Sequence, residues 1–372
     1  MNPHRQGALL LCLGAVAWST VDANDPTRAA AQDPSADTTI ATPLRKSTKT
    51  STTNAIAGPN GVAAWVDPAR CDQDGNLFFL TVPQVDARDS NRAPGSSQSR
   101  PRPPSEIVGV SADGKKVTHF DPGSAPVFVG ADELRTVTTA VDSHGILFAL
   151  VWGPRGQASG RQHIVSFDKS GRYVSRVEIE SDEISVEQFE IFGTGEFLLR
   201  GVRNDASKVA VASGGRFVPR LAVMSGGGAP LRDVLGLPDE AGPESSKDPD
   251  PSAPPEFDYM IRGGDGRIYL ARAGASFIYA IEASGQSQEA FPMARTPRNL
   301  RLAGLRASGG RLVATCRDER SRWWMVVYDV ALRERVGLYG PVDGQPICYE
   351  YTGSTDEFTF LRDGNKLVTL SP

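Results

Sequence analysis

Residues 261–274 read IRGGDGRIYLARAG, and the first ten of them decide the fold. Apolar residues stand on both sides of a short turn that runs from Gly263 to Gly266. Glycine adopts the positive φ that tight hairpin turns require, at no steric cost. A phosphate-binding loop would need a third glycine at a set spacing and a helix after it, and neither is present. The stretch therefore predicts a β-hairpin.

The same plan recurs along the chain: a strand, a turn that closes on glycine, and a strongly apolar strand. We call this the first turn of each repeat. It is found in CDQDGNLFFL (71–80), VDSHGILFAL (141–150), FGTGEFLL (192–199), GGDGRIYL (263–270) and ASGGRLVA (307–314). A second turn, which leads into a more polar strand, alternates with the first. It is found in VSADGKKVTHF (110–120), FDKSGRYVSRVEI (167–179), ASGGRFVPRLAV (212–223) and IEASGQSQEAF (281–291). Each repeat is therefore predicted to hold four antiparallel strands.

The spacing of the first turns indicates a β-propeller. Their glycines are 70, 50, 71 and 44 residues apart, and the two long steps contain polar, proline-rich insertions at 83–105 and 223–256. A period of roughly 40–50 residues with four strands per unit is typical of propeller blades. ICYEYTGSTDEFTFL (347–361) and RDGNKLVTLSP (362–372) supply three strands of a sixth unit.

We expect an all-β propeller of six four-stranded blades, closed by N- and C-terminal strands in one sheet. The fourth strand of the last blade is predicted to be GVAAWV (61–66), because closing the ring protects the sheet edges. An open stack and a seventh unit remain alternatives. The repeats resemble the six-bladed, NHL-type propellers of many exported bacterial proteins. This resemblance covers residues 57–372 and implies a fold that serves binding scaffolds, lyases, hydrolases and quinone-dependent dehydrogenases alike.

The N-terminus has the layout of a secretory signal peptide. His4 and Arg5 precede an apolar stretch from Ala8 to Trp18, and cleavage is predicted near Ala23. The alternative is an uncleaved anchor. Residues 24–56 are rich in Ala, Thr, Ser, Asp and Pro and are expected to form a disordered linker, and residues 57–372 the propeller with flexible insertions at 83–105 and 223–256. We expect an exported protein, periplasmic or extracellular.

Charge and composition exclude some partners. The net charge of −4 gives no basic patch for nucleic acid. No apolar run reaches the roughly 18 residues of a membrane-spanning helix, so the mature chain is expected to lack one. We also expect the chain to be monomeric. A small anionic molecule or a protein remains as partner.

Arginines recur where the second strands of the blades end, at the end of the ring opposite the first turns. The best candidates are Arg200, Arg272 and Arg317. A guanidinium fork suits carboxylate, phosphate or sulfate. The hypothesis is therefore an anion-binding rim, and the alternative is an ordinary solvated loop surface whose arginines pair with nearby acids.

Aromatic and cysteine side chains add to this hypothesis. Trp152, Tyr349 and Tyr351 are predicted to stack on a ligand, and the alternative for them is packing between blades. Cys316 ends a second strand and Cys348 begins an inner strand of the next repeat, so a disulfide between them is expected if their Cα atoms approach within about 7 Å.

Metal, cofactor and nucleophile signals are weak. His119, His144 and His163 fall on different parts of the repeats with no paired spacing, so we expect no metal site and no cofactor. A nucleophile motif of the GxSxG kind is missing. The sequence favours a binding or interaction protein with an anion-binding face. The alternative is a lyase or hydrolase that acts on a carboxylated or sugar substrate, and no catalytic residue can be named.

Overall fold

The computed structural model describes residues 41–52, 69–81, 106–129, 131, 134–153, 161–179, 183–203, 219–228, 230–235, 237, 259–271, 277–292, 300–362 and 366–372. These residues form 24 strands in six four-stranded antiparallel sheets, which are the blades of a β-propeller. Two 3₁₀ turns, Pro122–Ser124 and Pro126–Phe128, connect the first two blades. Among the described residues, no helix is both long enough and apolar enough to cross a membrane.

The strands follow one another from the inside of each blade to the outside, apart from the first strand of the chain, β1 (Arg45–Thr52). Blade 1 consists of β2 (Arg70–Cys71), β3 (Leu77–Thr81), β4 (Glu106–Val110) and β5 (Val117–Phe120). Blade 2 consists of β6 (Arg135–Val141), β7 (Leu147–Trp152), β8 (Gln162–Phe167) and β9 (Tyr173–Ile179). Blade 3 consists of β10 (Ile184–Ile191), β11 (Phe197–Arg203), β12 (Pro219–Met224) and β13 (Leu231–Asp233).

The second half of the ring repeats this order. Blade 4 consists of β14 (Tyr259–Arg262), β15 (Ile268–Ala271), β16 (Phe277–Ile281) and β17 (Ser287–Pro292). Blade 5 consists of β18 (Arg301–Ser308), β19 (Arg311–Arg317), β20 (Trp323–Asp329) and β21 (Glu334–Val342). Blade 6 consists of β22 (Pro346–Tyr351), β23 (Asp356–Arg362) and β24 (Lys366–Ser371), with β1 as its outermost strand.

The first turns form as the sequence predicts. Their glycines all have positive φ, between 74° and 94°, and the sixth repeat adds a positive-φ glycine of its own; they are Gly75, Gly145, Gly195, Gly266, Gly310 and Gly353. We call the end of the ring that carries these turns the turn end, and the opposite end, where the second strands finish, the loop end.

The ring is held together by apolar packing between neighbouring blades. The described core divides into six clusters, and each cluster joins the facing sides of two adjacent blades, including blade 6 with blade 1. Because a blade is covered on both faces, its middle strands read as nearly continuous apolar runs: Leu77–Leu80 of β3 and Trp323–Tyr328 of β20 are buried throughout. Outer strands such as β9 are less buried and more polar: three consecutive residues of β9, Val174, Ser175 and Arg176, are exposed.

Ring closure occurs, but through a different segment from the one predicted. β1 pairs with β24, from Arg45 opposite Ser371 to Thr52 opposite Lys366. Arg45–Thr52 lies inside the stretch 24–56, so the prediction of a linker is wrong for these eight residues. Its sequence, RKSTKTST, has no apolar alternation and so gives no strand signal. The predicted strand 61–66 lies outside the described residues.

The predicted bounds of the second insertion are also too wide. β12 ends at Met224, the following turn closes on Gly228 with a φ of 104°, and β13 occupies Leu231–Asp233, all within the predicted insertion 223–256. A glycine-rich turn and a three-residue strand were therefore mistaken for low-complexity sequence. The insertion at 83–105 and the signal peptide at 1–23 lie outside the described residues.

The predicted disulfide between Cys316 and Cys348 is wrong. Cys348 is bonded to Cys71, with the two Cα atoms 5.9 Å apart, and Cys316 is a free, buried thiol. The reason lies in the direction of the side chains. Cys316 packs in the cluster between blades 4 and 5, whereas Cys348 packs in the cluster between blades 6 and 1. The disulfide therefore joins the inner strands of the last and first blades.

We expect the Cys71–Cys348 disulfide to stabilise the closed ring. It links residues 277 positions apart, so its loss frees a long loop in the unfolded chain. Cys348→Ser should lower the free energy of unfolding by about 2–5 kcal/mol in urea titrations without reductant. Cys316→Ser is the control: it should keep the sensitivity of the wild type to dithiothreitol, which Cys348→Ser should lose. A wild type that unfolds at the same urea concentration with and without reductant would contradict this role.

We expect the burial of His163 to make the folded protein less stable in mild acid. The side chain is buried on β8 and meets the ring of Phe128 edge-on at 5.3 Å. Burial lowers the pKa of His163 below its usual 6.5; Arg176 and Arg161 lower it further, and Glu178 opposes them. The unfolded chain therefore binds this proton more readily than the folded chain, and stability falls as the pH drops below about 6.5.

The His163→Leu variant tests this coupling. Its free energy of unfolding should fall less than that of the wild type between about pH 7.5 and about pH 5.5. His144→Gln removes an exposed histidine on a first turn and serves as the matched control. Equal pH slopes for wild type and His163→Leu would show that His163 protonates freely in the folded protein.

Candidate functional site

A cavity of about 70 Å³ lies on the axis of the ring at its turn end. We call it the channel cavity. All six blades contribute to its wall, each through a residue at or near the end of its inner strand: Arg70, Val141, Glu190, Arg262, Arg306 and Tyr349. Residues of the first turns, such as Gln73 and Gly264, form its exposed rim. A volume of this size exceeds what one water molecule needs, so a small ion fits.

The inner strands place charged residues here because of where each strand ends. Arg70 and Glu190 are the last residue but one of β2 and β10, and Arg262 is the last residue of β14. Arg306 lies two positions before the end of β18. The strands converge on the axis and stop where the first turns begin, so Arg70 and Arg306, 236 positions apart in sequence, meet in one cavity.

Arg70 is the most deeply buried of the three arginines, with 6% of its surface exposed. Its Nε donates to the carbonyl oxygen of Thr139 at 2.9 Å, and its Nη1 lies 3.4 Å from Oε2 of Glu190. The guanidinium of blade 1 thus contacts blades 2 and 3. Its buried Nη2 has no hydrogen-bond acceptor among the described residues.

Arg262 reaches across the axis. Its Nη2 donates to Oγ of Ser143 at 3.1 Å, which connects blade 4 to blade 2 past the intervening blade 3. The buried Nε of Arg262 also has no acceptor within the described part of the chain. Arg306 donates through Nη1 to the carbonyl oxygen of Leu305 at 2.7 Å and through Nη2 to that of Pro346, in blade 6, at 3.4 Å.

The carboxylates of the wall differ in what they do. Oδ1 of Asp72 accepts from the backbone N–H groups of Asp74 and Asn76, at 3.0 and 2.9 Å, and its Oδ2 accepts from the Asn76 amide. Oδ1 of Asp142 likewise accepts two backbone N–H groups at 2.8 Å. These two aspartates hold first turns in shape. Glu190 is not a turn residue; its carboxylate lies beside Arg70, and only 2% of the residue is exposed.

The balance of charge in the cavity wall does not indicate a ligand, but the balance of hydrogen-bond donors and acceptors does. Three arginines and three acids line the cavity, so their formal charges balance. The turn amides already occupy the aspartates, whereas two buried guanidinium nitrogens of residues that line the cavity have no acceptor among the described residues. Surplus donors around a small polar cavity favour a ligand rich in acceptors, which an oxyanion is.

The arginines predicted for the loop end are engaged in contacts of their own. Arg200 is 8% exposed and lies 3.7 Å from Glu187, and the guanidinium of Arg317 sits 5.2 Å from the ring of Trp323. Arg317 is six residues along β19 from Arg311, the register partner of the cavity residue Ser308. That is about 20 Å at the usual rise of a strand. Arg272 lies outside the described residues.

The predicted aromatic residues do not form one group. Trp152 is the last residue of β7, at the loop end, in register with Arg135 and Gln162. Tyr349 lines the channel cavity, yet its hydroxyl donates to Asp356 at 2.6 Å within the core of blades 5 and 6. The ring of Tyr351 lies 4.7 Å from the Arg311 guanidinium, and its hydroxyl donates to the carbonyl of Gly353.

The sequence-based search for a site placed its candidate arginines at the loop end and did not name Arg70, Glu190, Arg262 and Arg306, which line this cavity. A usable signal was present: a charged residue within the last three positions of an inner strand, just before a first turn. Within the described residues, no group of three or more His, Cys, Asp and Glu side chains could hold a metal ion.

Comparisons with known proteins give distant structural likenesses only. No protein-family model matches the chain, and no curated protein matches it significantly in sequence. Virginiamycin B lyase from Staphylococcus aureus is 12% identical, with a TM-score of 0.38 over 88% of this chain and 99% of the lyase. The β-propeller domain of the trilobed protease from Pyrococcus furiosus is 11% identical, with a TM-score of 0.41 over 80% and 79%.

A third likeness is to Trypanosoma rangeli sialidase in complex with sialic acid, which is 11% identical, with a TM-score of 0.41 over 88% of this chain and 57% of the sialidase. Likenesses this distant carry no information about what the chain binds or does. The assignment of a six-bladed propeller follows from the strand order and pairing described above.

Proposed function

We propose that this chain is a binding protein that holds a small oxyanion, such as a carboxylate, a phosphate or the acid group of a sugar, in the channel cavity. The observation that carries the proposal is that two buried guanidinium nitrogens of cavity-lining residues, Nη2 of Arg70 and Nε of Arg262, have no acceptor among the described residues.

The energetics support a ligand at this position. A buried donor that lacks an acceptor costs about 1–3 kcal/mol, and more when it is charged. An oxyanion in the cavity would supply acceptors to both guanidinium groups and recover this cost. The arginine chemistry is the same as in the rim hypothesis, but the residues come from the inner strands and the site lies at the turn end.

Arginine substitutions distinguish an anion site in the channel cavity from an anion site at the loop end. Arg70→Gln and Arg262→Gln should each weaken the binding of phosphate, sulfate or a small carboxylate about 10-fold to 100-fold, because each removes charge-assisted hydrogen bonds of about 1.5–3 kcal/mol. Isothermal titration calorimetry of the anions that raise the melting temperature measures the effect.

The matched controls are Arg317→Gln, at the loop end, and Arg200→Gln, in the middle of β11; neither residue lines the cavity, so both variants should bind with wild-type affinity. If these controls weaken binding and the Arg70 and Arg262 variants do not, the anion binds at the rim. If no anion binds to the wild type, the proposed function is wrong.

A lyase or hydrolase that acts on a carboxylated or sugar substrate is the second candidate. Its support is the buried carboxylate of Glu190, 3.4 Å from Arg70 in the same cavity. General acid–base chemistry on a bound molecule would place this carboxylate next to the reacting atoms. Proton NMR of each bound compound over several hours distinguishes the two functions, because an enzyme consumes its ligand and a binding protein leaves it unchanged.

We also infer that the chain is exported. Two independent features support this: the layout of residues 1–23 and the Cys71–Cys348 disulfide, since disulfides persist mainly in oxidising compartments. Mass spectrometry of the protein recovered from the periplasm or the medium should give a mature N-terminus at Asn24. A full-length chain in the cytoplasmic fraction would contradict export.

A further inference from the structure

We propose that Glu190 makes the channel cavity select oxyanions that carry a hydrogen-bond donor of their own over anions that can only accept. The proposal rests on the proposed function, that an oxyanion binds at Arg70 and Arg262. It adds the class of ligand and names the residue that selects it.

Glu190 is built into the wall of the cavity. It lies on β10 with 2% of its surface exposed, its Oε1 accepts from the backbone N–H of Ile191 at 3.2 Å, and its Oε2 faces Nη1 of Arg70 at 3.4 Å. An ionised carboxylate has about four lone-pair sites and no donor. Any ligand that enters the cavity therefore meets an acceptor as well as the arginine donors.

Arg70 places the ligand and Glu190 side by side. Its Nη1 and Nη2 are the two terminal nitrogens of one planar fork, and Glu190 lies at Nη1 while Nη2 has no acceptor among the described residues. An oxyanion that accepts from Nη2 would bind the same guanidinium group that Glu190 contacts. In a buried site, two negatively charged groups held by one guanidinium repel each other strongly.

A proton on the ligand turns this repulsion between the ligand and Glu190 into an attraction. A hydroxyl group that donates to the carboxylate forms a short, charge-assisted hydrogen bond. Hydrogen phosphate carries such an O–H near neutral pH, and so does a 2-hydroxy carboxylate. Sulfate and a simple carboxylate have no donor to offer, so they would leave Glu190 facing an oxygen lone pair.

Two matched pairs of anions test the selection and also distinguish phosphoryl from carboxylate ligands. Isothermal titration calorimetry near neutral pH compares phosphate with sulfate, and lactate with propionate. We expect the donor-bearing member of at least one pair to bind about ten-fold more tightly or better, because a site built to hydrogen-bond a hydroxyl discriminates strongly against the analogue that lacks it.

Glu190→Gln should reduce this preference to less than about three-fold, chiefly by strengthening the binding of sulfate or propionate, because an amide both donates and accepts. Glu190→Asp keeps the carboxylate and should keep the preference. The matched control is Glu187→Gln, on the same strand with a side chain that is 50% exposed, which should bind all four anions as the wild type does.

The outcomes distinguish this proposal from the one on which it rests. Equal affinities within both pairs, with arginine-dependent binding, would overturn the selection and leave the anion site intact. Failure of all four anions to bind would overturn both. If Glu190→Gln does not fold, as judged by its thermal unfolding, the affinities of the wild type and of Glu190→Asp still decide.

Discussion

The contact between blade 6 and blade 1 is the constraint on which the rest of the structure depends. A propeller has an axial cavity only if its ring closes, and closure joins residues from the two ends of the chain. Three interactions act together here: β1 pairs with β24, an apolar cluster fills the space between the two blades, and the Cys71–Cys348 disulfide joins their inner strands. Arg70 precedes Cys71 in β2, a strand of only two residues, so ring closure also positions the central arginine of the cavity.

The same crowding at the axis explains why the site is polar. Between the blades, side chains on both faces of a sheet are buried and must be apolar. At the ends of the inner strands, charged groups from different blades meet near the axis instead. Arg262 spans from blade 4 to blade 2 in this way. The ends of six inner strands therefore form the wall of one cavity.

The sequence predicts the architecture well because short stretches of sequence specify each hairpin of a blade. Each first turn needs a glycine of positive φ followed by an apolar strand, and both signals lie within ten residues, as in GGDGRIYL (263–270). β1 escaped prediction because its sequence, RKSTKTST, contains no apolar residue and therefore shows no apolar period. The disulfide was misassigned because the face of the sheet on which a cysteine lies depends on register, which spacing alone does not determine.

The site could not be predicted to the same degree, because its members are scattered over 236 positions between Arg70 and Arg306. Recurrent arginine was a real signal, but it occurs at both ends of the blades, and the sequence does not say which end holds a cavity. Arg200, in the middle of β11, meets a glutamate, and Arg317, at the loop end, meets a tryptophan ring. At the turn end, Arg70 and Arg262 keep buried donors without an acceptor among the described residues.

A wall whose formal charges balance has consequences for how such a site would work. Long-range attraction of an anion is weak when three arginines face three acids, so affinity must come from short hydrogen bonds formed inside the cavity. Those bonds depend on direction, and the acceptor of Glu190 beside the donor of Arg70 makes them depend on the protons of the ligand as well. A cavity of this kind gains selectivity at the expense of attraction over distance, which suits recognition of one small molecule better than general capture of anions.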